Sequence, residues 1–444
     1  MYFQRLLLEV NQGFTFYFIF PLLVILGLFF TVKLRFLQFT KIGESLRFLL
    51  KSKQEGDGAV SNYQAVSAVI AGNLGTGNIS GMAVALATGG PGALVWMWVM
   101  AFLGSVIQYS SCLLGAKYRV KNASGEFVGG PMYYLQNGLG FRKLAIIFSL
   151  CTIIAAVAVG NFAQVNSVVL PLKSLGCNPL LLGVFMAIGA ALVMLGGMQR
   201  IAKAAASIVP IMAAVYLVSA CSILYSYQAE LQNALGVLFF SAFSFSSFAG
   251  GVMGFTVVKA ISTGLERGVF ATDAGTGIVP ILQSGASTKN PVNSGILTLV
   301  APFLVMIMCS MTGLVLIVTG AFEKVGLEST NMVVFAFQQF FGDFIGMAIV
   351  IVSLFLFAYT TVIAWGGCLA RAAEFLWDKK KALYLQYLYL ALIPVGAIMK
   401  VGFVWILADV SISFMLVINL IGIIGLSKEV LAESRGVFLK KDNA

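Results

Sequence analysis

Between Gly72 and Gly81 the chain reads GNLGTGNISG, four glycines, two asparagines, a threonine and a serine set in the middle of an apolar run. Helix breakers there strip amide and carbonyl groups of their helical partners. Freed N–H groups at a half-helix N-terminus favour a carboxylate, while carbonyls and hydroxyls favour a small cation. In hydrocarbon such a break survives only where protein or a watery cavity surrounds it, so the segment must face inward. Thr76 and Asn78 add polar side chains beside Gly75 and Gly77, which helix packing alone does not call for; for Gly72 and Gly81, close packing serves equally well. A second candidate group lies in FAYTTVIAW, residues 357–365, where Thr360 and Thr361 offer hydroxyls to a cation or, alternatively, to carbonyls of their own helix.

The elements that position these residues follow from composition. Of 444 residues, 59% are hydrophobic and only 10% charged, with a mean hydropathy of +0.96; soluble domains carry about 25% charged residues. This is the composition of a polytopic membrane protein. With about 20 apolar residues needed per span, eleven are predicted, near 14–33, 65–88, 93–116, 144–170, 179–197, 205–227, 236–258, 293–319, 343–367, 384–399 and 402–426. The first runs into Lys33 and Arg35 without a small-residue cleavage site, which predicts a retained helix and a mature chain beginning near Met1. Placing the N-terminus outside puts 24 of the 28 Lys and Arg residues in cytoplasmic segments, and this bias predicts the C-terminus inside. The net charge of +11 is then a matter of topology, needing no nucleic-acid partner, although basic loops also suit anionic lipid.

The seventh predicted span, SAFSFSSFAGGVMGF at 241–255, is also interrupted near its middle, at Ser244, Ser246, Ser247, Gly250, Gly251 and Gly254. With the first span set aside, spans two to six and seven to eleven form two oppositely oriented sets of five, each opening on a broken helix. That is the pattern of an inverted-repeat secondary transporter. The segments are then 1–61 (first span and an interfacial helix), 62–230 and 231–426 (the two repeats) and 427–444 (a cytoplasmic tail). Residues 35–53 place Phe36, Phe39, Ile42, Leu46 and Leu49 at helical spacing among basic residues, predicting that interfacial helix. The segment 259–292 is too polar to span and too long for a tight turn, and a short amphipathic helix across the cytoplasmic mouth is expected, as a gate or as a plain connection. The chain has no histidine, and of seventeen acids only Asp409 lies clearly within a predicted span, Asp343 standing at the edge of another. A proton relay normally needs such groups, so sodium held by neutral oxygens fits better.

Other classes lose ground on the same residues. Without histidine there is no HExxH zinc motif and no Ser–His pair, so a membrane enzyme is not expected. GTGNISG looks like a glycine-rich nucleotide loop, but it lies inside a span with no strand before it. The six cysteines are scattered, giving neither a disulfide framework nor a metal site, and no cofactor is expected beyond the coupling ion. A channel or facilitator and a ligand sensor built on a transporter remain as rivals. Paired interruptions disfavour the first, and binding without uptake would identify the second.

Ordered matches then extend over nearly the whole chain: LRFLQF after the first span, GNLGTGNISGMAVALATGGPGALVWMW, KYR at 117–119, EFVGGPMYYL at 126–135, GNFAQVNS at 160–167, RGVFATDAGTG at 267–277, SMTGLVLIVTG at 310–320, AYTTVIAW at 358–365 and VWILAD at 404–409. Here the sequence resembles the alanine or glycine:cation symporter family of the amino acid–polyamine–organocation superfamily. The resemblance implies an all-α, eleven-span protein with the five-plus-five fold of the leucine transporter LeuT preceded by one extra helix. It also implies sodium- or proton-coupled uptake of small neutral amino acids such as alanine and glycine across a bacterial inner membrane. Carried onto this chain, Gly75, Thr76, Gly77 and Asn78 would hold the substrate carboxylate, and Gln164 would contact substrate. Thr361 would face cation or substrate and Trp365 would wall the pocket. Gly72, Gly75, Thr360 and Thr361 become the sodium set, with Phe243, Ser246 and Phe248 as further pocket candidates. Several family acids are absent: Ser111 replaces a glutamate, the NEAG loop reads TDAG with Thr272 and Asp273, and Ala301 and Val305 replace acids on the eighth span. Ile418 stands where the family has proline, and GGCLARA follows Trp365 in place of an aromatic run.

Overall fold

Apolar residues that fill whole turns rather than one stripe suit helices meeting lipid on one side and one another on the other. The computed structural model, which describes residues 2–50, 58, 60–243, 257–288, 290–327 and 329–442, is accordingly a helical bundle. Its first half holds α1 (Glu9–Lys33), α2 (Ile42–Leu50), α3 (Asn62–Asn73), α4 (Ser80–Gly89), α5 (Ala93–Lys117), α6 (Arg142–Lys173), α7 (Pro179–Met194) and α8 (Gly197–Ser226). Its second holds α9 (Gln228–Phe243), α10 (Val257–Thr272), α11 (Ile278–Gln283), α12 (Pro291–Val318), α13 (Thr330–Phe341), α14 (Asp343–Leu376), α15 (Lys379–Ile398), α16 (Val401–Gly425) and α17 (Ser427–Asp442). Among the described residues eight of these, α1, α5, α6, α8, α12, α14, α15 and α16, are long and apolar enough to cross a bilayer, and each covers one expected span. The expected spans at 65–88 and 179–197 fall on the broken pair α3/α4 and on the shorter α7. The one at 236–258 falls on α9, on residues 244–256 outside the described set, and on the start of α10.

The segment 259–292 departs most from expectation. Instead of an amphipathic helix across a mouth, it contains α10, packed into the bundle against α4, α5 and α12, and the fully buried α11. Gly264 and Gly268, one turn apart, let α10 lie directly on α5: a Cβ on Gly264 would strike the Ala93 carbonyl, and one on Gly268 would sit 2.9 Å from Met100 Cβ. Between α10 and α11 the helix is interrupted at 273–277, where Gly275 and Gly277 both take φ +87° and Asp273 takes φ +50°. The polarity that argues against a span counts against lipid contact. It does not count against a helix wrapped in protein, where Arg267 finds Asp409 of α16 at 2.6 Å.

The ends of the two interrupted helices are tied together. Val60, before α3, bridges to Ala286, after α11, through Val60 N–H to Gly285 O (3.2 Å) and Ser287 N–H to Val60 O (3.1 Å). Arg119 secures the same strand, donating to the carbonyls of Ala286 (3.1 Å) and Thr288 (3.3 Å). Nearby, α17 is held to the end of α5 by Lys117, which reaches Glu429 (2.8 Å) and Glu433 (3.0 Å). On α2 and the turn before it, Phe36, Phe39 and Leu46 are exposed while Ser45 is buried and donates to Leu297 O at 3.2 Å. That is the one-sided burial an interfacial helix requires.

Candidate substrate and cation site

At the first break α3 stops at Asn73, Gly75 is extended, and Thr76–Asn78 make a single 3-10 turn before α4 starts at Ser80. Several of the freed carbonyls are met by side chains. Asn78 folds back, donating from Nδ2 to Asn73 O (2.9 Å) and Gly75 O (3.1 Å), while its Oδ1 accepts from the Cys309 thiol at 3.1 Å. Ser80 donates to Thr76 O at 2.7 Å, and Thr312 of α12 donates to Asn78 O at 3.0 Å. Asn78 is therefore the brace of the break; its polar atoms are used up holding it open.

The group left to face other helices is the Thr76 amide. Gln164 on α6 receives it: its Oε1 lies 2.9 Å from Thr76 N and 3.1 Å from Thr76 Oγ1, while its Nε2 donates to Val159 O at 3.0 Å. Gln164 stands just past a π-helical stretch, Ala156–Phe162, inside α6, and such bulges re-aim side chains at functional sites. From α14, Thr361 donates to the Ala71 carbonyl at 2.8 Å, in the last turn of α3. Gly75 sits between the two: a Cβ there would fall 2.7 Å from Gln164 Oε1 and 2.9 Å from Thr361 Oγ1. Trp365, one turn beyond Thr361, is fully buried, lies flush on Gly160 of the π-helical stretch, and has an indole N–H without a protein acceptor. The result is a polar knot of Gly75, Thr76, Gln164 and Thr361.

The remaining expected residues separate from this knot. Gly72 is a packing glycine, with Leu282 Cδ1 2.8 Å from a Cβ position, and Gly77 likewise gives room to the Phe270 ring. Thr360 turns away: its hydroxyl bonds the carbonyls of Leu356 and Phe357 in its own helix, both at 3.0 Å, as membrane threonines commonly do. Phe243, expected in the pocket, is 58% exposed at the end of α9 and packs on Trp96 with ring centroids 5.8 Å apart. Ser246 and Phe248 lie outside the described residues. Neighbouring threonines thus predict opposite results. Thr361→Val should lower transport by about tenfold, the cost of roughly 1–2 kcal/mol for a lost buried hydrogen bond. Thr360→Val should stay within about twofold of wild type in the same uptake measurement, since it breaks two intrahelical bonds and a long contact to the Met212 sulfur of α8 at 3.6 Å, none of them at the first break.

Both ends of the site are closed. Phe270, on Gly77, and Trp405, on Gly81, meet at a tilt with centroids 5.0 Å apart, and the Arg267 guanidinium lies over both rings, 5.6 and 5.1 Å from their centroids. At the other end stands the Val60–Ala286 bridge. Thr76, Gln164 and Thr361 are no more than 2% exposed. Two more acids join Asp409 on the α10/α11 segment, the half-buried Glu266 and the buried Asp273. The sequence argument that no acid but Asp409 is available to a proton therefore loses its premise. What escaped it were the π-helical stretch, which nothing in AVAVGNF announces, and the second break, whose DAGTG glycines were in view but read as loop.

The sequence profile of the sodium:alanine symporter family matches residues 1–443. An uncharacterized transporter of Haemophilus influenzae is 37% identical, over 94% of this chain and 93% of its own. The sodium/alanine symporter AgcS of Methanococcus maripaludis is 35% identical, over 92% of this chain and 91% of its own. Among solved structures, MhsT in complex with L-phenylalanine superposes with a TM-score of 0.63 at 13% identity, covering 85% of this chain and 92% of that one. This likeness is one of fold, and it is the LeuT-type architecture expected from the sequence.

Proposed function

Because the chain belongs to the sodium:alanine symporter family, and is therefore a membrane transporter and not an enzyme, we propose that it carries a small neutral amino acid, alanine or glycine, into the cell with sodium by alternating access. The observation that carries this reading is the Gln164 amide oxygen on the Thr76 amide and hydroxyl. An oxygen acceptor already occupies the place a substrate carboxylate would take at the unwound end of a half-helix, and an amide oxygen yields it readily to a charged one. Beside it, the Ala71 carbonyl and the Thr361 hydroxyl, 2.8 Å apart, are neutral oxygens of the kind sodium takes once the hydroxyl rotates its proton aside. Trp365 limits the side chain to something small. In this reading 62–230 and 231–426 are the inverted halves, and the N-terminus lies outside with the C-terminus in the cytoplasm of a bacterium, as the Lys/Arg bias asks.

The test is uptake of labelled alanine into proteoliposomes under an inward sodium gradient, an inward proton gradient, or neither. Accumulation should require sodium, and Asn78→Ala and Thr361→Ala should each lose it. Equal uptake under all three conditions would replace the symporter with a facilitator, and binding without uptake would make it a sensor.

A further inference from the structure

Among the described residues, two buried oxygens near the meeting point of the two breaks have no hydrogen-bond partner. Asn73, the last residue of α3, donates from Nδ2 to the Thr272 carbonyl at 2.7 Å, so its side chain spans from the first break to the second. Its Oδ1 has no hydrogen-bond partner, and the residue is 3% exposed. Asp273 follows Thr272 directly, at the left-handed φ of +50°; it is 2% exposed, and its Oδ1 also has no partner. Two acceptors, one of them a carboxylate, are thus buried without a donor, and burying them so is costly. The backbone strain at Asp273 adds to it. An acid placed so, at the hinge of an interrupted helix, is a device and not a packing residue.

We propose that Asp273 is a proton-binding site of the transporter, which takes a proton while the two breaks are closed on each other and releases it when they part. A proton answers the burial because it neutralises a carboxylate that has no described cation beside it. The step is simple: hydronium from one aqueous side gives its proton to a carboxylate oxygen, forming an O–H bond, and water on the other side takes it back. A sodium ion would need several more oxygens, and those nearby are engaged: Thr272 O by Asn73, Gly275 O by Asn419 at 2.7 Å, and the Asp273 carbonyl by Thr276 at 2.8 Å. The titratable groups near this hinge are few. Cys368 of α14 is within electrostatic reach, with Arg371 beyond it paired to Glu126 and Glu374. Tyr134 touches the hinge through Asn419 of α16, Cys112 lies on α5 among buried residues, and α3 contributes only the neutral Asn73. Two turns back along α10, Glu266 and Arg267 belong with Asp409. Among the described residues, no cation pairs with Asp273.

Infrared difference spectra of the full chain in lipid, stepped from mildly acidic to alkaline medium in potassium chloride, test this without any substrate. Wild type should show a carboxylic-acid carbonyl band bleached by alkali, absent from Asp273→Asn and displaced but present in Asp273→Glu. Identical spectra from wild type and Asp273→Asn overturn the proposal. So does a carboxylate band that is present at all pH values, depends on Asp273 and moves only when sodium replaces potassium, which would assign the residue to sodium. A final arm rests on the transport reading: alanine uptake by wild type should quicken under an added inward proton gradient, and Asp273→Glu should shift that response along the pH axis. An uptake rate indifferent to the proton gradient in a protein that accumulates alanine counts against the proposal, whereas failure of alanine uptake sinks the substrate reading and leaves the infrared result standing.

Discussion

Gly75→Ala should fold normally and lose nearly all uptake. The residue is extended, at φ −97° and ψ −170°, a conformation alanine adopts without strain, so the substitution leaves the break itself intact. What changes is the space in front of it. The added methyl would stand 2.7 Å from Gln164 Oε1 and 2.9 Å from Thr361 Oγ1, both well inside van der Waals contact and both at the far ends of side chains that can swing aside. They relieve the clash only by leaving the positions from which they meet Thr76 and Ala71. Overpacking of this kind costs about 1–3 kcal/mol, and the methyl also fills volume a substrate needs, so a fall in transport of about 100-fold or more is expected on the scale of 1.4 kcal/mol per tenfold. Gly81→Ala is the control. Its Cβ would meet Trp405 at an ordinary 3.6 Å, inside a helix that alanine favours, and uptake should stay near wild type. Uptake surviving in Gly75→Ala would remove the site from this break.

The first break could be read from the chain because its signal is local. Four glycines and two amides in an apolar run contradict the surrounding helix within ten residues, and no neighbour is needed to see it. Gln164 and Thr361 could not be reached that way. The residues that decide their roles, Thr76 and Ala71, are distant in sequence; family likeness alone singled out Gln164, and Thr361 was in view only as one of two adjacent hydroxyls. Thr360 shows what spacing leaves open. Adjacent hydroxyls on one helix point about 100° apart, so at most one of the pair faces a given neighbour, and which one is a matter of packing.

The α10/α11 segment was missed for a different reason. Hydropathy measures a residue against lipid, and most of this helix lies against protein: α4, α5, α12 and α16 pack on it, and its charge is cancelled from across the bundle. A glycine pair one turn apart, Gly264 and Gly268, and the later DAGTG were available as evidence for a packed, interrupted helix, but Glu266, Arg267 and Asp273 outweighed them in a scale that counts charges as exposed. Two of the departures from the expected family pattern lie at this same place. TDAG replaces NEAG at the hinge, and Cys368, within electrostatic reach of Asp273, belongs to the GGC that replaces an aromatic run. A shorter acid at the hinge and a smaller residue facing it are complementary changes.

The cross-bundle charge makes the second large prediction. Arg267 and Asp409 are 8% and 5% exposed at their side chains and meet at 2.6 Å, so neither has water to fall back on. Removing one alone strands the other, and a buried pair broken from one side costs about 3–5 kcal/mol. Arg267→Met and Asp409→Leu should each lower the thermal unfolding temperature of the detergent-solubilised protein sharply. The double variant should recover most of the loss, because two apolar side chains of similar volume need no partner. A double-mutant cycle reads the coupling directly: losses that simply add would show that the two residues stabilise the bundle independently. Arg267 also lies over Phe270, on Gly77, and Trp405, on Gly81. In the double variant these rings keep their contact but lose the cation that pins them to α16. Stability restored without transport would therefore separate the two roles: the pair could then be dispensable for the fold while still being needed to hold the closed state over the first break.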